Sequence, residues 1–226
     1  MTPPGAAERT RQIARAALRC FIHGGYRLTQ IAHVSEQLGV SVGLIYRYVD
    51  SKEALLHIAV LEAVGRLTDD LTLPVSVSGL GETAALIGDF AGRDAQWPVL
   101  RAAADGPGEA SVASEAAAIA EELFRLVADR AVLISLLDRC ARDLPELVAV
   151  FDDRVRRHYF ADLLRWVSRR GLVRADSRPD AYPLVRGAME AVVWLGQKRT
   201  GDSMAATISD EQALEAAVHI FVRAMN

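Results

Sequence analysis

Tyr46, Arg47 and Lys52 fall within ten consecutive positions that begin at Gly43, and what these three side chains share is the chemistry of holding an anion. A phenol hydroxyl donates one hydrogen bond, a guanidinium offers a fork of N–H donors, and an ammonium is a compact point charge. Gly43 stands in a stretch that otherwise reads as helix, where glycine costs about 1 kcal/mol relative to alanine. A helix with no side chain at that position can bring its main chain close to the phosphates and base edges of a duplex. Tyr46, one turn on and on the same side, can hydrogen-bond a phosphate, and Arg47 adds charge beside it. Lys52, at the start of the next helix, can pair with a second phosphate. Thr29 offers a hydroxyl and a helix N-terminus, which is an anion site. Phosphate contacts set position and base-edge contacts set sequence. The competing reading is structural: Gly43 serves tight helix packing and Tyr46 is half-buried.

No other constellation in the chain carries chemistry. The five histidines, at 23, 33, 57, 158 and 219, show no paired metal spacing. There is no glycine-rich loop between a strand and a helix, and no nucleophile with a base at a recognised spacing. The expectation is a protein that is not an enzyme, with no metal and no cofactor.

The elements that must position these residues read as helices. Ile13, Ala16, Ala17, Cys20 and Phe21 form one apolar stripe over a first helix at 6–23, ended by the glycines of "HGGY". A second helix begins after Thr29, read as its N-cap, with Ile31, Val34 and Leu38 inside and Gly39 at its end. Ser41 caps a third, whose inner side holds Leu44, Ile45, Tyr48 and Val49. Helix, glycine turn, helix is a helix-turn-helix. Asp50 or Ser51 opens a fourth helix running to about Leu71. Further helices are expected at 82–91, 95–104, 113–141, 144–170, 180–200 and 209–225, with Pro145 in a first turn and a loop at 105–111.

The bulk numbers agree with an all-helical protein. Of 226 residues, 51% are hydrophobic and 24% charged, alanine is abundant, and alternating β-branched runs are scarce. The net charge of −3 argues against nucleic acid, but residues 1–60 carry seven Lys or Arg and four Asp or Glu, a local +3, which leaves −6 for the remainder. A cationic head on an acidic body follows. Cys20 and Cys140 read as buried free thiols in a reducing cytoplasm. The N-terminus has no signal-peptide core, and no apolar run approaches the ~20 residues of a membrane span, so the chain is expected to be cytoplasmic and free of membrane.

The stretch "GYRLTQIAHVSEQLGVSVGLIYRYVDSKEALL" resembles the DNA-binding head of the TetR family of transcriptional repressors. Gly25, Tyr26, Thr29, Ile31, Val34, Gly39, Val40, Ser41, Gly43, Ile45, Tyr46, Tyr48, Ser51, Lys52 and Glu53 match that pattern, and the resemblance spans about residues 9–60. Ser35 replaces a small apolar residue and Val49 a phenylalanine, so the head's small core is expected to be less fully packed. Val42 stands where a polar or basic residue often meets DNA, and there it could touch a thymine methyl. Ala32 and His33 replace common polar residues, His33 being either a contact or a solvated side chain.

The resemblance implies an all-α protein of about nine helices. A three-helix helix-turn-helix domain would occupy 1–52, and a larger ligand-binding and dimerisation domain 53–226. It implies DNA contacts from Thr29, Ser41, Val42, Gly43, Tyr46, Arg47 and Lys52. The function implied is a homodimeric repressor released from its double-stranded operator by an unidentified small-molecule effector, with the fourth helix as lever. The dimer would be a four-helix bundle through Val185, Ala188, Met189, Val192, Gly196, Leu214, Val218 and Phe221, the competing reading being that these seal the core of one chain. Candidate effector residues are Trp97, Phe124, Arg139, Tyr159, Met189 and Trp194, each of which has a plain core or surface reading as well. An alternative is a helical DNA-bound regulator that answers to a protein partner or to no ligand.

Overall fold

The computed structural model describes residues 5–93, 96–106, 110–172, 178–205 and 207–225. In chain order the helices are α1 (Ala6–Leu28), α2 (Ile31–Leu38), α3 (Val42–Ile45), α4 (Lys52–Ala63), α5 (Leu80–Arg93), α6 (Pro98–Asp105), α7 (Val112–Ala128), α8 (Ala131–Cys140), α9 (Pro145–Phe151), α10 (Arg157–Arg169), α11 (Arg178–Gly196) and α12 (Asp210–Met225). The described residues form no β-sheet; one isolated parallel bridge joins Val49 and Val75. The fold is all-α with an N-terminal helix-turn-helix, as the periodicity requires. The expected loop at 105–111 lies partly outside the described residues.

Two compact units divide the chain, one over 1–94 with 132–154 and the other over 95–131 with 155–226. In the first, α1 packs on α2 and α4, α2 on α3, α4 on α5, and α5 on α9. The α1 stripe is the centre of this packing, with Ile13, Ala16, Ala17 and Phe21 fully buried and Cys20 half-buried. In the second unit, α12 lies against α11 and α7, α11 against α7, and α6 against α10 and α7. Its core holds Trp166 stacked on Phe221, with ring centroids 6.5 Å apart, and the Trp166 indole N–H donates to Glu115 at 2.7 Å.

Four helices differ from expectation for identifiable reasons. The first does not end at the glycines of "HGGY" but continues to Leu28 across a kink at Gly25. The fourth stops at Ala63, because Gly65 takes a left-handed backbone (φ 67°) and Arg66 N–H donates back to Leu61 O at 2.8 Å. Such a closure satisfies the last carbonyls and ends the helix. The expected helix at 113–141 breaks between α7 and α8. The one expected at 144–170 is continuous, but it contains a π-helical stretch, Asp152–Arg156, between α9 and α10.

The chain beyond α4 then returns to the head. Val75 N–H donates to Tyr48 O at 2.8 Å and Asp50 N–H to Val75 O at 3.1 Å. Val75 is buried here, and Val49 is fully buried. The smaller side chain at position 49 is therefore covered by a segment that the sequence pattern did not assign to the head.

Candidate nucleic-acid interface

The short α3 helix is capped by its own N-terminal serine: Ser41 Oγ accepts from Leu44 N–H at 3.2 Å. Ile45 turns inward and is fully buried, which pins the helix to the head. Its other side is open. Ser41, Val42, Gly43, Tyr46 and Arg47 are all exposed, Val42 at 38% and Tyr46 at 49%. A Cβ added at Gly43 would meet nothing within 4 Å. The packing explanation for Gly43 fails on that observation, because nothing packs there. What remains is a bare stretch of main chain flanked by a hydroxyl, a phenol, a guanidinium and one apolar side chain. That is the donor set for phosphate oxygens and base edges.

Thr29 is not at this surface. It is only 2% exposed, and its hydroxyl lies 2.7 Å from Gly25 O and 3.0 Å from Cys20 O. It closes the end of α1 and does not cap α2, which corrects its expected place. The capping residue is Gln30, whose N–H donates to His33 Nδ1 at 3.2 Å in a reciprocal capping box. With Nδ1 accepting, the neutral His33 ring carries its proton on Nε2.

Lys52 is half-buried. Its Nζ lies 4.3 Å from the Tyr26 ring centroid and donates to Arg27 O at 3.3 Å. Burial lowers its pKa, with Glu53 opposing. Tyr26 donates its hydroxyl to Glu53 at 2.9 Å, and burial followed by that bond raises the phenol's pKa. Ser35, in place of a small apolar residue, is buried with its hydroxyl donating to Ala32 O at 2.8 Å, so the substitution leaves no orphan group. The basic ridge of α1 is partly neutralised within its own unit, where Arg11 pairs with Asp69 and Arg15 with Glu62.

Of the effector candidates, Trp97 and Tyr159 meet edge to face, 5.5 Å between centroids. Both are buried, as are Phe124 and Met189. The Trp97 indole donates to Asp162 at 2.7 Å, and Arg101 lies over the same ring at 4.8 Å. The Tyr159 hydroxyl is buried without a hydrogen-bond partner among the described residues, and burial holds its pKa well above the usual phenol value. Arg139 is an exposed residue of α8 in the first unit, and Trp194 is 37% exposed on α11, so neither lines a buried aromatic site.

The residues proposed from sequence for a dimer face are mostly interior. Val185, Ala188, Met189, Val192, Gly196 and Phe221 are buried within the single chain, and Leu214 and Val218 are partly covered. A Cβ at Gly196 would come within 2.5 Å of Val127 Cγ2 and 3.1 Å of Phe124 O. The small-residue face of α11 is thus used to approach α7 in the same chain. The open stripe of α11 is the opposite one, with Leu184, Gly187, Ala191 and Trp194 at helical spacing, and Ile220 is exposed on α12.

Among the described residues no three His, Cys, Asp or Glu side chains gather as a metal site, and no helix is long and apolar enough to cross a membrane. Comparison with curated proteins gives no match. A solved structure from Mesorhizobium loti, named as a candidate TetR-family transcriptional regulator, is similar at 17% identity, over 98% of this chain and 97% of that one, with a TM-score of 0.49. Residues 13–58 match the family model described as bacterial regulatory proteins, tetR family. That span covers α2 and α3, with most of α1 and the start of α4. Over 13–58 the chain therefore carries a helix-turn-helix head of the tetR type, the DNA-binding part of a transcriptional regulator.

Proposed function

We propose that this chain is a ligand-responsive repressor that binds its operator as a homodimer and leaves it when a small molecule occupies the body. The observation that carries the DNA contact is the open Gly43 surface of α3, with Ser41, Val42, Tyr46 and Arg47 around it and Lys52 at the start of α4. In this reading residues 1–52 read the duplex, and 53–226 dimerise and receive the effector. A reader of chromosomal DNA works in the cytoplasm.

Dimerisation is supported by the exposed stripe of α11. Leu184 is 52% exposed and Trp194 37%, and Ile220 of α12 is 41% exposed. Large apolar side chains left open on adjacent packed helices gain by pairing with the same face of a second copy. Two heads in such a dimer must reach grooves about 34–36 Å apart. An effector that favours another spacing drains the DNA-competent population. The effector reading draws its support from Tyr159, whose buried hydroxyl lacks a partner beside Trp97. A ligand oxygen or nitrogen would remove that cost, about 1–3 kcal/mol for an orphaned buried group.

The test is selection of duplexes from a random pool by the purified chain, followed by a small-molecule screen against the selected complex. An enriched duplex with two related half-sites, released by a screened compound, is the expected result. A chain that enriches nothing contradicts the DNA reading; an enriched duplex that no compound releases favours the regulator without a ligand.

A further inference from the structure

The kink in α1 exposes a feature outside the reading surface. At Gly25 the backbone leaves the helix (φ 77°, ψ 174°), a left-handed φ that favours glycine, and Tyr26, Arg27 and Leu28 follow as a separate last turn. A turn that starts afresh has N–H groups with no partner in the preceding helix. Here a partner comes from far along the sequence. Asp143, in the turn between α8 and α9, accepts from Arg27 N–H through Oδ2 at 2.8 Å, and its Oδ1 lies 3.9 Å from Arg27 Nε. The close approach is built in: a Cβ on Gly25 would sit 3.4 Å from Arg139 O and 3.5 Å from Asp143 Oδ2. The carbonyl of the same residue, Arg27, is held by Lys52 Nζ at 3.3 Å. Both polar groups of one peptide residue are therefore clamped, the N–H by a carboxylate of the α8–α9 turn and the carbonyl by the first residue of α4. Two residues on, buried Thr29 closes α1, and Gln30 opens α2.

We propose that Asp143 is a positioning residue for DNA binding: by capping the turn after the Gly25 kink it fixes the elbow that aims α2 and α3 at the duplex. It makes no contact with DNA in this account and acts through Arg27. It rests on the DNA-binding role of the head. Electrostatics and geometry predict opposite signs. A carboxylate held against the head repels phosphates, so removing it should tighten binding on charge alone. If Asp143 aims the reading helices, removing it weakens binding.

The experiment uses the full chain and a duplex enriched from a random pool by the parent protein. Affinity is read by anisotropy across a salt series, with circular dichroism and thermal midpoint as checks on folding. Asp143→Ala is expected to bind about tenfold more weakly, with the salt slope unchanged because no phosphate contact is lost. Asp143→Asn keeps a carbonyl acceptor for Arg27 N–H and is expected to stay within about threefold of the parent. A folded Asp143→Ala that binds as tightly as the parent, or more tightly, overturns the inference and leaves the DNA reading standing. A parent that enriches no duplex overturns both. Should the alanine variant not fold, amide exchange in the parent decides: Arg27 N–H protected like the α1 core supports the cap, and exchange at the rate of an open turn refutes it.

Discussion

The Lys52 ammonium stands 4.3 Å from the centroid of the Tyr26 ring while donating to Arg27 O, so the cation that begins α4 is already bound to the end of α1. Its charge can serve a phosphate without a large search, because the side chain is held before DNA arrives. Lys52→Ala should therefore lower affinity for all duplexes and reduce the salt slope by about one. Tyr46 is half exposed and its hydroxyl bonds to none of the described residues, so Tyr46→Phe should cost about 0.5–1.5 kcal/mol of binding and leave the thermal midpoint alone. Gel retardation at rising salt measures both. Parent-like binding by the two variants removes both side chains from the interface.

The open stripe of α11 predicts which substitutions separate subunits. Trp194→Glu combined with Leu184→Glu places charge on exposed positions and should give a folded monomer by sedimentation velocity. Val192→Ala is the contrast: its side chain is fully buried in the chain, so it should lower stability by about 1–3 kcal/mol without a specific effect on association. A double glutamate variant that still sediments as a dimer places the interface elsewhere.

At Gly196 α11 comes close to α7. Gly196→Ala puts a Cβ 2.5 Å from Val127 Cγ2, closer than carbon atoms pack, with a backbone oxygen at 3.1 Å behind it. The helices must shift, at about 1–3 kcal/mol. The thermal midpoint should fall by roughly 2–4 °C per kcal/mol for a chain of this size. Gly187→Ala in the same helix meets nothing within 4 Å in its own chain and should leave the packing of α11 on α7 unchanged, whatever it does to a second copy. Equal midpoints for the two variants contradict the close approach.

Much of the head was legible because local chemistry and the tertiary structure agree there. Ser41 reads as an N-cap and is one; Ile45 reads as core and Gly43 as a gap, and the chain folds them so. Thr29 was misplaced because a threonine before a helix looks the same whether it caps forward or closes the helix behind it. The α11 stripe reads as small and apolar, and within the chain it lies against α7. Periodicity marks which face is apolar, and burial against α7 or against a second chain leaves the same pattern. Asp143 left no signal at all, since its partner Arg27 lies 116 residues away and is bonded through the main chain.

Tyr159 separates an orphaned phenol from an anchoring one. Without ligand, Tyr159→Phe removes a buried hydroxyl that has no partner, so stability should be unchanged or higher by up to about 1 kcal/mol. Compounds that raise the parent's melting point in a screen through this hydroxyl should lose that effect on Tyr159→Phe. A variant destabilised by more than 1 kcal/mol would mean the hydroxyl is satisfied in solution.

His57 gives the protein a predictable response to acid. It lies on α4 in the contact with α5, where its Nδ1 is 3.1 Å from Thr83 Oγ1 and Thr83 is fully buried. Burial lowers its pKa, and Glu82 opposes the shift more weakly. The folded state then binds fewer protons than the unfolded chain in the window between the lowered value and the ordinary one of about 6.5. Stability must rise with pH through that window, be complete above about 6.5, and be lost below it. His57→Gln keeps a polar partner for Thr83 and cannot charge, so its urea midpoint should fall less between pH 7.5 and 5 than the parent's, by about the same margin in repeated titrations. The carboxylates contribute to both curves alike and cancel in the difference. Parallel curves for parent and variant would show that His57 is solvated in the folded state and that α4 and α5 do not close over it.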